Sequence, residues 1–189
     1  MLSGDRRALG EIADELARRE VFCRWVKVDV ASHSPQMDAL RDDLLKRIDG
    51  VSGQPPRIPM YSTVTGEPID TSTLDAGYWF RNLRQTVRFE DAVRALLADG
   101  HGTFVECSPH PVLTIGVQQL VDDQDVIVTG SLRRDTGLER MLESIAEVHV
   151  RGGAVDWSAF VPKGHRVALP TYPFDREDYW LVAGSTGDA

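Results

Sequence analysis

Cysteine is scarce: 189 residues hold only Cys23 and Cys107, too few for a disulfide framework, and no Cys-x-x-Cys or Cys/His spacing offers a metal-ligand set. Each lies in an apolar, strand-like run, Val21-Phe22-Cys23 and Phe104-Val105-Glu106-Cys107, so both are expected as buried thiols in a reducing compartment. Positive charge is also short. Against 29 Asp and Glu stand 21 Lys and Arg, scattered rather than striped, and the net charge of −8 disfavours a protein that neutralises nucleic-acid phosphates. No stretch approaches the roughly 18 consecutive apolar residues of a membrane span, and the N-terminus has no charged-then-apolar signal pattern. A cytoplasmic location is therefore expected, with neither nucleic acid nor membrane as partner.

What is present reads as folded protein. A 42% hydrophobic and 26% charged composition suffices for one domain with a core. Asp5 is placed to cap a helix over 6–19, with Leu9, Ile12, Leu16 and Ala17 on one face that must pack on something. Because almost no element precedes Asp5, the chain looks cut from something longer. A β-rich run from Val21 to Val30 then delivers the backbone to Ala31-Ser32-His33-Ser34-Pro35, and an amphipathic helix is expected from Pro35 to Asp49. Two short strands, Ile58 to Ser62 and Glu67 to Ile69, flank the turn at Thr65-Gly66. Helices follow over Tyr78–Leu83 and Phe89–Ala98, the second stopped by Gly100.

Thr103 to Cys107 reads as a buried strand leading through Ser108-Pro109-His110-Pro111 into a helix over Val112–Leu120. A strand over Val126–Thr129 and a helix over Gly137–Arg151 complete an alternation that indicates an α/β layered fold. Beyond Gly153 the pattern changes: Trp157, Phe160, Tyr172, Phe174, Tyr179 and Trp180 crowd among Pro162, Pro170 and Pro173 without periodicity. Extended chain anchored by aromatic burial on another surface is the expectation there.

His33 stands where a strand gives way to a helix, a place where α/β proteins often set reacting groups. Position alone leaves two roles open, general base or hydrogen-bonded structural residue, since neutral imidazole suits both. His110, between two prolines, is expected to shape a turn. Arg84, Arg88, Arg133 and Arg134 are candidates for contact with an acidic partner or with phosphates, although scattered arginines are more often simply solvated.

The run Val28-Asp29-Val30-Ala31-Ser32-His33-Ser34-Pro35-Gln36-Met37 closely resembles the active-site histidine motif of type I modular polyketide synthase acyltransferases. The segments Tyr78–Phe89 and Val105–Leu113 resemble later motifs of that family, in the same order, and Leu169–Leu181 is similar to the linker that follows these domains. The resemblance covers nearly the whole chain. It implies transfer of an α-carboxyacyl group from CoA to a serine, then to the phosphopantetheine thiol of an acyl carrier protein, with no cofactor bound by the domain itself. His33 would serve as catalytic base, Asn82 would mark the position whose amide or backbone carbonyl orients its ring, and Val30, Ala31 and Ser32 would line the acyl-binding region. In this family Tyr-Ala-Ser-His accompanies methylmalonyl and His-Ala-Phe-His malonyl; small Ser32 favours methylmalonyl, while Val30 departs from that pattern.

The family's nucleophile elbow, Gly-x-Ser-x-Gly, does not occur; Gly50-Val51-Ser52-Gly53-Gln54 is a near miss in a loop. The arginine that pairs with a substrate carboxylate has no counterpart either. The expected architecture is therefore α/β: a partial ferredoxin-like small subdomain at 1–33, the C-terminal part of an α/β-hydrolase-like acyltransferase core at 34–153, an extended post-acyltransferase linker at 154–183 and a disordered tail at 184–189. The expected activity is that of a synthase acyltransferase that this chain cannot perform alone. Its expected partners are the nucleophile-bearing half, the ketosynthase with its linker, the carrier protein and acyl-CoA. A noncatalytic module docking the acyltransferase to the ketosynthase side is the second reading.

Overall fold

A computed structural model describes residues 1–121, 125–161, 164–175, 177 and 179. Pro162, Arg176, Asp178, Trp180, Leu181 and the tail expected at 184–189 lie outside the described residues. The chain divides into two compact units, Met1–Val155 and Asp156–Ala189.

In the first unit, helix α1 spans Arg6–Arg18, and the Asp5 carboxylate caps it by accepting from the N–H groups of Arg7 and Ala8, each at 3.0 Å. The expected amphipathic stripe is there, yet none of its residues is buried. The next segment corrects the sequence reading: Val21 to Val30 is irregular rather than a strand, with Phe22 89% exposed and Trp25, Val28 and Val30 more than half so. Strand propensity expresses side-chain packing on a pleated surface; with no neighbouring strand to pair with among the described residues, β-formers have no ladder to join. The same reason explains why Cys23 is exposed, and Cys107, just past a strand end, is exposed too, so neither is the buried thiol expected.

The single helix expected over Pro35–Asp49 is two pieces, a 3-10 turn at Pro35–Leu40 followed by α2 at Arg41–Arg47. The tighter winding is set by i+3→i bonds from Met37 N–H to Ser34 and from Arg41 N–H to Asp38, and Met37 is buried by it. Strands β1 (Met60–Ser62) and β2 (Glu67–Ile69) form an antiparallel pair with Tyr61 opposite Pro68. Their turn needs Gly66, which has φ +79° and whose added Cβ would fall 2.6 Å from the Asp91 Cβ.

Helix α3 (Ala76–Arg84) is capped by Asp75, and α4 occupies Phe89–Ala98 as expected. Tyr78 of α3 is 2% exposed and shares a 2.8 Å hydrogen bond with the buried Ser62 hydroxyl.

Strand β3 (Thr103–Glu106), helix α5 (Thr114–Leu120) and parallel strand β4 (Ile127–Gly130) make a strand–helix–strand unit, with Phe104 opposite Val128. β3 is only half covered, not the buried strand expected, whereas every residue of β4 is buried. The core joins Val93 of α4, Val117 and Val121 at α5, and Val128, with Phe89, Leu97 and Phe104 packed against them. Helix α6 (Leu138–Val150) closes the unit, its Ser144 hydroxyl donating to the Gly130 carbonyl at 2.6 Å.

The second unit has a 3-10 turn at Trp157–Ala159, capped by Asp156, and no longer element among its described residues. Tyr172, Phe174 and Tyr179 are exposed. Among the described residues no helix is long and apolar enough to cross a membrane.

Candidate active site

The site is built where the irregular segment ending at Ser32 meets the C-terminal end of α3. A helix leaves its last carbonyls without intrahelical partners, and His33 uses two of the carbonyls at this end. Its N–H donates to the Leu83 carbonyl at 2.8 Å, and its ring Nδ1 lies 2.9 Å from the carbonyl of Gln85, the residue that caps α3 with extended ψ. A carbonyl only accepts, so this bond places the proton on Nδ1. In the neutral ring Nε2 is then left with an open lone pair. His33 is exposed.

Its backbone sits at φ +62°, a left-handed conformation that a side chain other than glycine seldom takes without a compensating fixture. Ser34 is that fixture. It is 1% exposed, donates its hydroxyl to the Ala31 carbonyl at 2.7 Å, and accepts from the Gln36 N–H at 3.2 Å. On the far side of the turn Arg84 reaches Asp38 at 2.8 Å, tying the end of α3 to the 3-10 turn. The histidine loop is thus held from both ends.

Val30 is exposed, and Ala31 and Ser32 are half-buried, leading directly into His33. Asn82 is half-buried on α3 and makes no hydrogen bond to the ring; the orienting group is the main-chain carbonyl of Gln85. The reason lies in helix geometry, because the cap's carbonyl turns out of the helix whereas Asn82 is still inside its last turn. Neither Leu83 nor Gln85 was singled out from the sequence. The signal was the helix end itself, ahead of Thr86-Val87.

A second cluster lies at the carboxyl ends of β3 and β4. The Glu106 carboxylate accepts from the N–H groups of Val112, Leu113 and Thr114 at 2.8–3.1 Å and from the Ser108 hydroxyl at 2.9 Å. Burial pushes its pKa up, but the backbone donors of Val112 and Leu113, the Ser108 hydroxyl and the Thr114 N–H together outweigh it and hold the carboxyl below its ordinary value. This network fixes the Ser-Pro-His-Pro loop. The same loop is stitched to the one after β4, as Ser108 N–H meets the Ser131 hydroxyl and Pro111 packs so close to Gly130 that an added Cβ would fall at 2.7 Å. His110 belongs to this stitching, its Nδ1 3.4 Å from the Arg134 N–H. Sequence reasoning passed over Glu106, although a carboxylate at a strand end ahead of a helix start is a recognisable anchor.

Arg84 and Arg88 are engaged within the fold, Arg84 with Asp38 and Arg88 with Asp91 and the Thr65 carbonyl, while Arg133 and Arg134 are exposed. The apolar hollow walled by Phe89, Val93, Phe104 and Leu113 does not include His33.

The acyl transferase domain family matches residues 1–155. Among curated relatives, polyketide synthase GfsA of Streptomyces halstedii is 54% identical over 96% of this chain, and erythronolide synthase EryA3 of Saccharopolyspora erythraea is 44% identical over 96%. The chain spans only 2% and 6% of those proteins. Among solved structures, the acyltransferase domain from module 8 of the salinomycin polyketide synthase is 48% identical with a TM-score of 0.79, covering 82% of this chain and 37% of that one. The acyltransferase domain of SpnD, in complex with 2-(pent-4-yn-1-yl)malonyl, is 26% identical with a TM-score of 0.70, covering 79% of this chain and 38% of that one. The chain therefore belongs to the acyl transferase domain family as it occurs in polyketide synthases.

Proposed function

We propose that this chain contributes the catalytic histidine and the acyl-selecting segment of a synthase acyltransferase whose serine is supplied by polypeptide outside this sequence. The observation that carries the reading is the His33 ring, exposed, with Nδ1 engaged by Gln85 and Nε2 left as acceptor. An alcohol is a poor nucleophile at neutral pH unless a base stands within hydrogen-bond reach. Nε2 takes the serine proton as the serine oxygen bonds to the thioester carbon, and the C–S bond then breaks as that proton passes to the departing CoA thiolate. In the second half the carrier protein's phosphopantetheine thiol gives its proton to Nε2, attacks the acyl-serine ester, and the serine oxygen recovers the proton.

Val30, Ala31 and Ser32 border the acyl group in this reading, and methylmalonyl is the favoured extender. The α-substituted malonyl bound by the SpnD domain supports a site that accommodates a branch at that carbon. Residues 1–33 belong to a ferredoxin-like subdomain and 34–153 to an α/β-hydrolase-like core, with 154–183 as linker. The acyl carrier protein, the ketosynthase side and acyl-CoA are its partners, in the cytoplasm. A noncatalytic docking role for the second unit draws on the exposed Tyr172, Phe174 and Tyr179.

The test is intact-mass measurement after incubation with methylmalonyl-CoA. The chain alone is expected to gain no acyl adduct. Joined to the preceding part of the salinomycin module 8 domain, it is expected to gain one, and His33→Ala is expected to abolish it. An adduct on the isolated chain would show a nucleophile within it and end this reading.

A further inference from the structure

The Gln85 carbonyl that meets the His33 ring lies on the connection between α3 and α4, where Gln85, Thr86, Val87 and Arg88 are all exposed. Exposed side chains bury little that would fix a loop, so its place depends on hydrogen bonds. Thr86 and Val87 make none among the described residues. The first attachment beyond Gln85 is Arg88, whose N–H donates to the Thr63 carbonyl at 2.7 Å. Its guanidinium then forks, Nη1 donating to the Thr65 carbonyl and Nε to the Asp91 carboxylate, each at 2.7 Å.

Two of these three contacts end on the turn between β1 and β2. That turn is itself closed, since the Gly66 N–H donates to the Ser62 carbonyl at 2.7 Å and the Val64 N–H to the Ser62 hydroxyl at 3.1 Å. Gly66 leaves the room for the fork: an added Cβ would fall 2.6 Å from the Asp91 Cβ and 3.5 Å from the Arg88 Cζ and Nε. Ser62 in turn holds Tyr78 of α3 through their buried 2.8 Å bond. One turn therefore grips the chain on both sides of the orienting carbonyl, Tyr78 before it and Arg88 after it. An ion pair as exposed as Arg88 with Asp91 adds little to stability, so what the fork positions explains it better.

We infer that Arg88 is a positioning residue of the transfer reaction: anchored on the β1–β2 turn, it holds the Gln85 carbonyl against His33 and so keeps the ring proton on Nδ1 and Nε2 open. This rests on the reading of His33 as the base. A neutral imidazole released from that carbonyl is free to rotate and to carry its proton on either nitrogen, and a ring protonated on Nε2 offers the serine no lone pair there. The effect falls on the chemical step rather than on acyl-CoA binding, because Arg88 acts on the reacting atoms only through the ring.

The experiment compares Arg88→Ala and Arg88→Lys with Arg94→Ala, which removes a similarly exposed ion pair, to Glu90, that does not touch the turn. In the joined domain, kcat is expected to fall by about tenfold or more in Arg88→Ala, the cost of a misplaced group, with KM for methylmalonyl-CoA within about twofold of wild type. Arg88→Lys keeps the charge but not the fork and is expected to lose less; Arg94→Ala is expected to match wild type. In the chain alone, nitrogen NMR of the histidine rings at mildly alkaline pH, where imidazole is neutral, reads the tautomer, and His33→Gly identifies the His33 signals. The share protonated on Nδ1 is expected to drop in both Arg88 variants and to hold in Arg94→Ala. Should Arg88→Ala lose its fold in melting curves, Arg88→Lys carries the comparison. An unchanged ring tautomer in the folded Arg88 variants, or a fall in kcat shared by Arg94→Ala, would overturn the inference. Wild-type transfer by His33→Gly would instead end the reading of His33 as base, a result independent of the ring spectra.

Discussion

The ring Nδ1 of His33 stands 2.9 Å from the Gln85 carbonyl while its backbone N–H reaches Leu83 at 2.8 Å, so one turn of helix fixes both the main chain and the imidazole of one residue. Replacing His33 separates these two tasks. His33→Ala keeps the strain of a Cβ at φ +62° and loses the ring's bond to Gln85, so it is expected to destabilise as well as inactivate; His33→Gly loses the same bond but relieves that strain. In the joined domain both variants are expected to lose about 10²–10⁴-fold in acyl transfer to a carrier protein, the scale of a general base. Melting curves should rank glycine above alanine. If the glycine variant transfers at the wild-type rate, His33 is not the base.

Glu106 makes a prediction about acid stability. Its folded pKa is held below the ordinary 4.5, because four donors outweigh burial. A carboxyl whose folded value is depressed contributes stability in full above the unfolded value, and that contribution is lost as pH falls through the folded one. Between neutral pH and about 4.5, wild type is therefore expected to exceed Glu106→Gln by a constant margin of about 1–2 kcal/mol, the scale of hydrogen bonds to a half-exposed charged acceptor. Below that the margin should shrink. Denaturant melts at several pH values check it, and a pH-independent margin would show that the carboxylate charge is not what holds the loop.

Much of this architecture could be read from spacing, and what escaped has physical causes. α4 was legible residue for residue because its apolar period, its acidic first turn of Glu90 and Asp91 and the stop at Gly100 agree with one another. The turn at Gly66 was legible because its dihedral has few alternatives. Val21 to Val30 was misread because a strand is a property of pairs, and Val, Phe and Trp in alternation say nothing about whether a neighbour is present. At the site, His33 was legible through its motif, but its orienting partner is a main-chain oxygen, which any residue at position 85 would supply. The family resemblance pointed to the amide or carbonyl of Asn82, three residues before the carbonyl that the ring meets. Glu106 was overlooked for the related reason that all its partners but the Ser108 hydroxyl are backbone N–H groups, which leave no mark in a sequence.

Tyr78 joins α3, whose capping residue Gln85 supplies the orienting carbonyl, to the β1–β2 pair through the Ser62 hydroxyl. Tyr78→Phe keeps the ring and deletes that bond in a buried setting, an expected cost of about 1 kcal/mol and so about 2–4 °C of melting temperature. Tyr78→Ala also leaves a cavity under α3, at an expected cost of about 3–5 kcal/mol. An unchanged melting temperature in the phenylalanine variant would mean that Ser62 finds a replacement partner.

Selectivity gives the last test, because it depends on volume rather than on proton transfer. Ser32 is two residues from exposed Val30 and immediately precedes His33; if this segment borders the acyl group as proposed, a side chain added at 32 enters the region of its α-substituent. Ser32→Phe is expected to cut methylmalonyl transfer relative to malonyl by about 10–200-fold, the reach of one methyl group in an apolar pocket, while malonyl transfer stays within a few-fold of wild type. Competition between the two CoA esters in the joined domain, read by the mass of the acyl-carrier product, measures that ratio directly. The distinction matters because a loss of both substrates would mean that phenylalanine has displaced the His33 turn, which Ser34 holds from the next position. Restoring serine at 32 and enlarging Val30 to Tyr would then separate pocket volume from loop position: a selective change at 30 with His33 undisturbed still assigns the segment to acyl recognition, and no change at either position removes it from the acyl pocket.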